Sequence, residues 1–302
     1  MQTTSITPAS ADHHTVRYAT EKVNGLDIFY REAGDPSKQA VVLLHGFPHS
    51  SHQYREVLAA LGDEFYLIAP DYPGFGDSSF PAPRTEFDYT FDNLADVIDQ
   101  FLIQRGVTDY VLMIQDYGAP VGFRIATRHP EKVKGFVVMN GNAYEEGISP
   151  EGWAPIMKYW ENPGDPEIEA QIIANVFSDE GLRWQYTHGT RNPDGINPDN
   201  WNLDIAKFAR PGQHRAQLDL FFDYQNNIKL YPQWQQYLRD NQPPVLLVWG
   251  KNDAFFPVPG AEGYKRDVKN IDYHILDTGH FALEEEAEFI TNKMRSFLRG
   301  LD

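Results

Sequence analysis

Three residues of types that do chemistry stand just after short apolar runs: Asp116, Asp253 and His280. The first belongs to Tyr110-Val111-Leu112-Met113-Ile114-Gln115-Asp116-Tyr117-Gly118-Ala119-Pro120-Val121-Gly122. This segment reads as a buried strand, a sharp turn carrying a carboxylate, and a small-residue helix start. A serine in such a turn must be deprotonated before it attacks. An aspartate is already an anion and can displace a leaving group from saturated carbon directly, leaving an alkyl ester on the protein. The same segment also reads as a polar turn residue capping the next helix.

Asp253 closes Gly250-Lys251-Asn252-Asp253 after the apolar run Val245 to Trp249, and His280 lies in Asp277-Thr278-Gly279-His280-Phe281 after Tyr273 to Leu276. Both polar groups therefore sit at carboxyl ends of expected strands, where open α/β sheets place their sites. His280 suits a general base, and Asp253 suits the group that holds its ring and stabilises the imidazolium. The chain order is nucleophile, acid, histidine, which is the α/β-hydrolase order and differs from other serine-triad folds.

Leu44-His45-Gly46-Phe47-Pro48 ends a further strand, and the backbone N–H of Phe47 can pair with that of Tyr117 as an oxyanion hole. Each such donor is typically worth about a hundredfold or more in rate. A tight turn built on Gly46 is the alternative. The run Asp71-Tyr72-Pro73-Gly74-Phe75-Gly76-Asp77-Ser78-Ser79 has glycines but neither the dinucleotide nor the P-loop pattern, so it reads as a loop. His45, His49 and His52 would share a helix face, but Gly46 and Pro48 break any helix there, so no metal site is expected. His49 is instead a candidate for the substrate pocket.

The elements that must position these groups alternate. Leu26 to Arg31, Ala40 to Leu44, Phe65 to Ala69, Tyr110 to Ile114, Gly135 to Met139, Val245 to Trp249 and Tyr273 to Leu276 read as strands. Gln53 to Leu61, Phe91 to Arg105, Ala119 to Arg128 and Glu284 to Leu298 read as helices. Such alternation predicts a mostly parallel sheet with helices on both faces. Asn24-Gly25 signals a hairpin within Arg17 to Tyr30, so the sheet should begin antiparallel. From 140 to 242 the pattern breaks into a stretch rich in Trp, Tyr, Gln, Asn and Pro, with helical pieces at Gly152 to Trp160, Pro166 to Val176 and Arg215 to Asn226. The expected organisation is a core of residues 1–139 and 243–302 with a helical cap inserted at 140–242.

Composition limits the partners. The chain has 302 residues, 41% hydrophobic, which suffices for a sizeable core. A formal net charge of -17 argues against nucleic acid or an anionic membrane surface, both of which select a basic face. With no cysteine, disulfides, thiolate metal sites and a cysteine nucleophile are excluded. Met1 to Ala11 show no basic cluster followed by an apolar run, and nowhere are there roughly eighteen uninterrupted apolar residues. A soluble, cytoplasmic protein is expected.

On His45-Gly46-Phe47-Pro48, Asp71 to Gly76, Gln115-Asp116-Tyr117-Gly118, Gly250 to Asp253 and Gly279-His280, the chain resembles the epoxide hydrolase and haloalkane dehalogenase branch of the α/β-hydrolase fold. The resemblance implies a helical cap over the site, an alkyl ester on the aspartate, and a histidine-activated water that hydrolyses it without a cofactor. The substrate would be a small, apolar to moderately polar organic molecule. Tyr224-Gln225-Asn226 is similar to the cap segment that carries an acidic O–H in epoxide hydrolases, so Tyr224 is the candidate proton donor; a tyrosine packed in the cap is the other reading. Tyr159-Trp160-Glu161-Asn162-Pro163-Gly164 is also similar to that cap, although Ile156 stands where a second tyrosine is expected.

Dehalogenases commonly carry a tryptophan N–H after the nucleophile, where this chain has Tyr117. Epoxide hydrolysis is therefore the first expectation, and dehalogenation of a haloalkane or haloacetate the alternative. An esterase or acyltransferase is less fitting because carboxylate attack on an acyl carbon gives an anhydride. A non-catalytic ligand receptor is disfavoured by the complete set Asp116, Asp253 and His280. Tyr144, Tyr159, Trp160 and His49 are the expected pocket residues, within an aromatic cap that also holds Trp153, Trp184 and Tyr186.

Overall fold

The computed structural model describes residues 15–301. The reading of Met1 to Ala11 lies outside the described residues. Among the described residues, eight strands form one sheet: β1 (Arg17–Val23), β2 (Leu26–Ala33), β3 (Ala40–Leu44), β4 (Tyr66–Pro70), β5 (Tyr110–Gln115), β6 (Val133–Met139), β7 (Val245–Gly250) and β8 (Ile271–Leu276). Their order is β1-β2-β4-β3-β5-β6-β7-β8. The β1–β2 and β2–β4 pairs are antiparallel and the rest parallel. Asn24 and Gly25 both take positive φ between β1 and β2, as a tight hairpin turn requires.

The central strands are apolar on both faces because helices cover both. Val42, Leu44, Leu112, Ile114, Val138 and Leu247 point into one core, whereas Val41, Leu43, Val111, Met113, Val137 and Leu246 point into the other. The second core is closed by α1 (Arg55–Leu61) and α10 (Leu283–Arg299), which supplies Ile290, Met294 and Leu298. The first is closed by α2 (Phe91–Gln104) and α3 (Gly118–Arg128), with Leu94, Ile98, Phe101, Val121 and Ile125 buried. Thr90 starts α2 by accepting the Asn93 N–H on its side chain at 3.2 Å.

Between β6 and β7 the chain forms α4 (Ala154–Glu161), α5 (Pro166–Asn175), α6 (Asp179–Thr187), α7 (Pro198–Phe208) and α8 (Gln213–Asn241). Two of these, α6 and α7, are absent from the sequence reading, although Ser178 and Asn197 cap them as side-chain acceptors. Helix α8 runs for 29 residues with Pro232 inside it, well beyond the Arg215 to Asn226 expected. Its length follows from burial of Asn227, Tyr231, Trp234 and Leu238 on one face, which outweighs the missing proline N–H. Helix α9 (Val258–Asp267) also escapes the sequence reading, since Gly260 and Gly263 weaken its helical signal. A Cβ on Gly263 would lie 2.4 Å from the Tyr144 ring, so close packing is what requires that glycine. Among the described residues, no helix is long and apolar enough to cross a membrane.

Register brings the carboxyl ends of β3, β5, β6, β7 and β8 side by side: Leu44 faces Ile114, Gln115 faces Met139, and Gly250 faces Leu276. The loops after β7 and β8 touch backbone to backbone, because a Cβ on Gly250 would stand 1.9 Å from the Gly279 carbonyl oxygen. Gly250→Ala should therefore lower stability by about 1–3 kcal/mol, the usual cost of overpacking. Denaturant unfolding of parent and variant checks this, and equal midpoints would contradict the close approach.

Candidate active site

Asp116 follows the last residue of β5 with φ of +50°, a conformation rare for residues bearing a Cβ and one that clusters at functional sites. Two glycines make room for it. A Cβ on Gly46 would come 2.3 Å from Asp116 Cβ, and one on Gly118 would come 2.1 Å from the Leu44 carbonyl oxygen. The Phe47 N–H donates to Asp116 Oδ1 at 2.7 Å, and the Tyr117 N–H also hydrogen-bonds the carboxylate. Burial pushes the Asp116 pKa up, and His280 and these N–H groups restrain the rise.

His280 lies between two carboxylates. Its Nδ1 is 2.6 Å from Asp253 Oδ2, and its Nε2 is 3.7 Å from Asp116 Oδ2. Burial disfavours the imidazolium, but the charge and hydrogen bond of Asp253, aided by Asp116, outweigh it and raise the His280 pKa. Asp253 is itself fixed: Oδ1 accepts the N–H groups of Phe255 and Phe256 at 2.8 and 3.1 Å, and Oδ2 accepts Asn140 Nδ2 at 2.7 Å. Asn140, with φ of +46° just beyond β6, also accepts the Gly250 N–H at 2.9 Å. The sequence reading passes over Asn140, although its position one residue past a parallel strand is the signal that marks Asp116.

Asp116 and His280 open into a cavity of about 40 Å³. Phe47, Tyr117, Trp153, Ile156, Phe221 and Phe255 make its walls apolar, and Gln185 from α6 is the amide side chain among the lining residues. The sequence assigned no role to Gln185, Phe221 or Phe255.

The structure puts the expected pocket residues elsewhere, each for a visible reason. The Tyr144 hydroxyl donates to Asp267 Oδ2 at 2.9 Å beside Tyr264. The buried Tyr159 hydroxyl donates to Glu169 and accepts from Arg215, each at 2.8 Å. Trp160 stands one layer behind Trp153, its indole N–H donating to the Phe221 carbonyl at 2.7 Å. His49 packs on Phe281 and pairs through Nδ1 with the Tyr186 hydroxyl at 3.0 Å, in a buried cluster that includes Asp204. None of these four lines the cavity. The Tyr224 ring packs behind the cavity wall, 4.4 Å from Trp153 and 6.3 Å from Tyr117 between centroids, and its hydroxyl meets that of Tyr231 at 3.4 Å. His45 is held by the Gly46 carbonyl and the Tyr72 N–H, and His52 by Asn200. Among the described residues no group of three or more His, Asp or Glu side chains is placed to hold a metal ion.

A family model described as the alpha/beta hydrolase fold matches residues 39–287. The chain belongs to the α/β-hydrolase family. Among its α/β-hydrolase relatives is an uncharacterized hydrolase of Saccharomyces cerevisiae, 42% identical over 90% of this chain and 93% of the relative. A haloalkane dehalogenase of Bradyrhizobium diazoefficiens is 33% identical over 93% of each chain. Epoxide hydrolase 4 of Homo sapiens is 28% identical over 92% of this chain and 76% of its own length.

A base must be neutral to accept a proton, so turnover that uses His280 as base should fall as pH drops through its raised pKa, above the ordinary value of about 6.5. Asp253→Asn removes the charge that raises that pKa and leaves burial, so the acid limb should move to lower pH. The rate at neutral pH should also fall by on the order of a thousandfold or more as the ring loses its orienting anion. pH–rate profiles of both proteins test this, and superimposable limbs would exclude the pairing.

Proposed function

We propose that the protein hydrolyses small electrophilic alkyl compounds through an ester on Asp116, and that epoxides are its favoured substrates. The observation that carries this reading is the arrangement at Asp116, a carboxylate with Oδ1 on the Phe47 N–H and Oδ2 facing His280 Nε2 at 3.7 Å. Oδ2 attacks carbon, and the carbon–oxygen bond of the epoxide breaks. We assign the proton that the alkoxide needs to the Tyr224 hydroxyl, which stands behind the Trp153 and Tyr117 rings in the resting structure and reaches the cavity once those rings shift. Asn142 donates to the Tyr231 oxygen at 3.2 Å, which allows the Tyr231 O–H to point at the Tyr224 oxygen and leaves the Tyr224 proton for transfer.

Water then attacks Cγ of the ester while His280 Nε2 takes its proton. The Phe47 and Tyr117 N–H groups hold the resulting oxyanion. Collapse breaks the ester bond to the substrate oxygen, which receives the proton from His280. The remaining Asp116 proton returns to the Tyr224 oxygen, giving a diol with no net proton change. The cavity of about 40 Å³ is small beside the roughly 300–1,000 Å³ of pockets that take drug-sized ligands, which supports small substrates.

Dehalogenation is the second reading, supported by the Gln185 amide at the cavity and by the 33% identity to a protein named haloalkane dehalogenase. There the halide leaves as an anion and needs N–H donors rather than a proton. The core of residues 1–139 and 243–302 and the cap of 140–242 remain the proposed division.

One turnover in heavy-oxygen water should leave label in the Asp116 carboxylate; label confined to the product excludes the ester. Tyr224→Phe should slow epoxide opening by roughly ten- to ten-thousandfold while changing substrate binding less. Diol and halide release, measured separately over a panel of small epoxides, haloalkanes and haloacetates, separate the readings. Halide release with every epoxide untouched assigns the protein to dehalogenation.

A further inference from the structure

Gln115 ends β5 with its side chain fully buried, and the reaction outlined above gives it no part. Its Nε2 lies 3.0 Å from His280 Nε2. Because His280 Nδ1 faces Asp253 at 2.6 Å and carries the proton there, Nε2 presents a lone pair, and only the N–H side of an amide can meet it. The other end of the same amide, Oε1, is buried without a hydrogen-bond partner. It also lies beside the nucleophile: a Cβ on Gly46 would stand 2.7 Å from Gln115 Oε1 and 2.5 Å from Asp116 Oδ1. An unpaired buried acceptor next to a base and a carboxylate is unfavourable unless something with a hydrogen to give occupies the site during turnover.

We infer that Gln115 is the positioning residue for the hydrolytic water, guarding the lone pair of His280 in the resting site and accepting the second hydrogen of the water that attacks the Asp116 ester. The inference rests on the alkyl-ester reading of Asp116. The water replaces the direct amide–imidazole contact, giving one hydrogen to His280 Nε2 and the other to Gln115 Oε1, with a lone pair directed at Cγ. Its oxygen bonds to Cγ as its proton passes to Nε2. The imidazolium formed then has an N–H to donate, and the carboxamide can meet it through Oε1. A neutral amide, offering both a donor and an acceptor, serves both protonation states of the base. Ester formation consumes no water, so Gln115 acts in the second half of the reaction alone.

Single-turnover experiments with a substrate the parent turns over, quenched and read by intact-protein mass, separate the two halves. Gln115→Met keeps length and removes both hydrogen-bonding ends. The adduct should form within about threefold of the parental rate and decay at least about tenfold more slowly, as misplacement of a reacting group costs. Loss of the N–H on Nε2 favours the imidazolium, so the acid limb of the decay should move to higher pH. The other charged or titratable groups that act on His280, namely Asp253, Asp116 before esterification and His49, are unchanged by the substitution. Gln115→Glu keeps an acceptor and adds charge. It should move the limb further up and, above that limb, decay faster than the Met variant; if the Met variant does not fold, this comparison is made with the parent, and an unshifted limb overturns the inference. Parental decay in Gln115→Met, or equal slowing of both steps at an unchanged melting temperature, overturns it as well. A parent that forms no adduct and takes no label into Asp116 instead overturns the ester reading, and the role of Gln115 with it.

Discussion

A carboxylate must stay ionised and aimed while it is shut away from bulk water, and the candidate site is organised around that demand. Burial favours the protonated form of a carboxyl group, and His280 nearby together with the Phe47 and Tyr117 N–H groups favours the Asp116 anion. Those donors reach it because the chain turns through a left-handed residue between β5 and α3, and the start of α3 adds its partial positive charge. The turn in turn fits because Gly46 and Gly118 carry no Cβ. A single electrostatic requirement thus fixes backbone at two places distant in sequence, Gly46 with Phe47 and Asp116 through Gly118.

Sheet order distributes the remaining groups. Neighbouring strands β3, β5, β6, β7 and β8 lead into Phe47, Gln115 with Asp116, Asn140, Asp253 and His280, one strand after another. Gln115, Asp116 and Asn140 stand at strand ends, where strand spacing and register set their distances, whereas Phe47, Asp253 and His280 lie further along the loops and are placed by loop contacts as well. Asn140 ties β6 to β7 through Gly250 and Asp253, and the close approach of Gly250 to Gly279 ties β7 to β8. The acid and the histidine are therefore positioned by backbone contacts as well as by their own hydrogen bond.

The sheet and the residues now gathered around Asp116 were legible because strands buried on both faces leave uninterrupted apolar runs, and polar residues directly after them stand out. Asp116, Asp253 and His280 were found that way, and Asn140 could have been. Of the residues lining the cavity from the insertion, Trp153 is named within the aromatic cap and Ile156 at the place of an expected cap tyrosine, whereas Gln185 and Phe221 are passed over. Gln185 in α6 and Phe221 in α8 have ordinary aromatic and amide neighbours, so only tertiary packing distinguishes them from Tyr144, Tyr159 and Trp160. Aromatic residues in that region are used mostly to pack helices on one another, and each tyrosine or tryptophan hydrogen bond described there points away from the cavity. Helix α9 is missed for a related reason, Gly263 being kept for contact with Tyr144 and Gly260 for contact with Asn142 and Gly147 at the expense of helix propensity.

Helix α8 carries Phe221 on the cavity wall and Trp234 stacked on Phe123 of α3, with centroids 5.3 Å apart and planes 10° from parallel. Thirteen residues of helix separate the two rings, a rise of about 20 Å. The wall that holds Phe221 is thus anchored in the sheet-covering layer, and swinging it outward would unstack Trp234 or bend the chain at Pro232. A molecule arriving from solvent meets a fixed partition on that side. Helix α4 is tied to the same partition, because the Trp160 indole N–H donates to the Phe221 carbonyl at 2.7 Å.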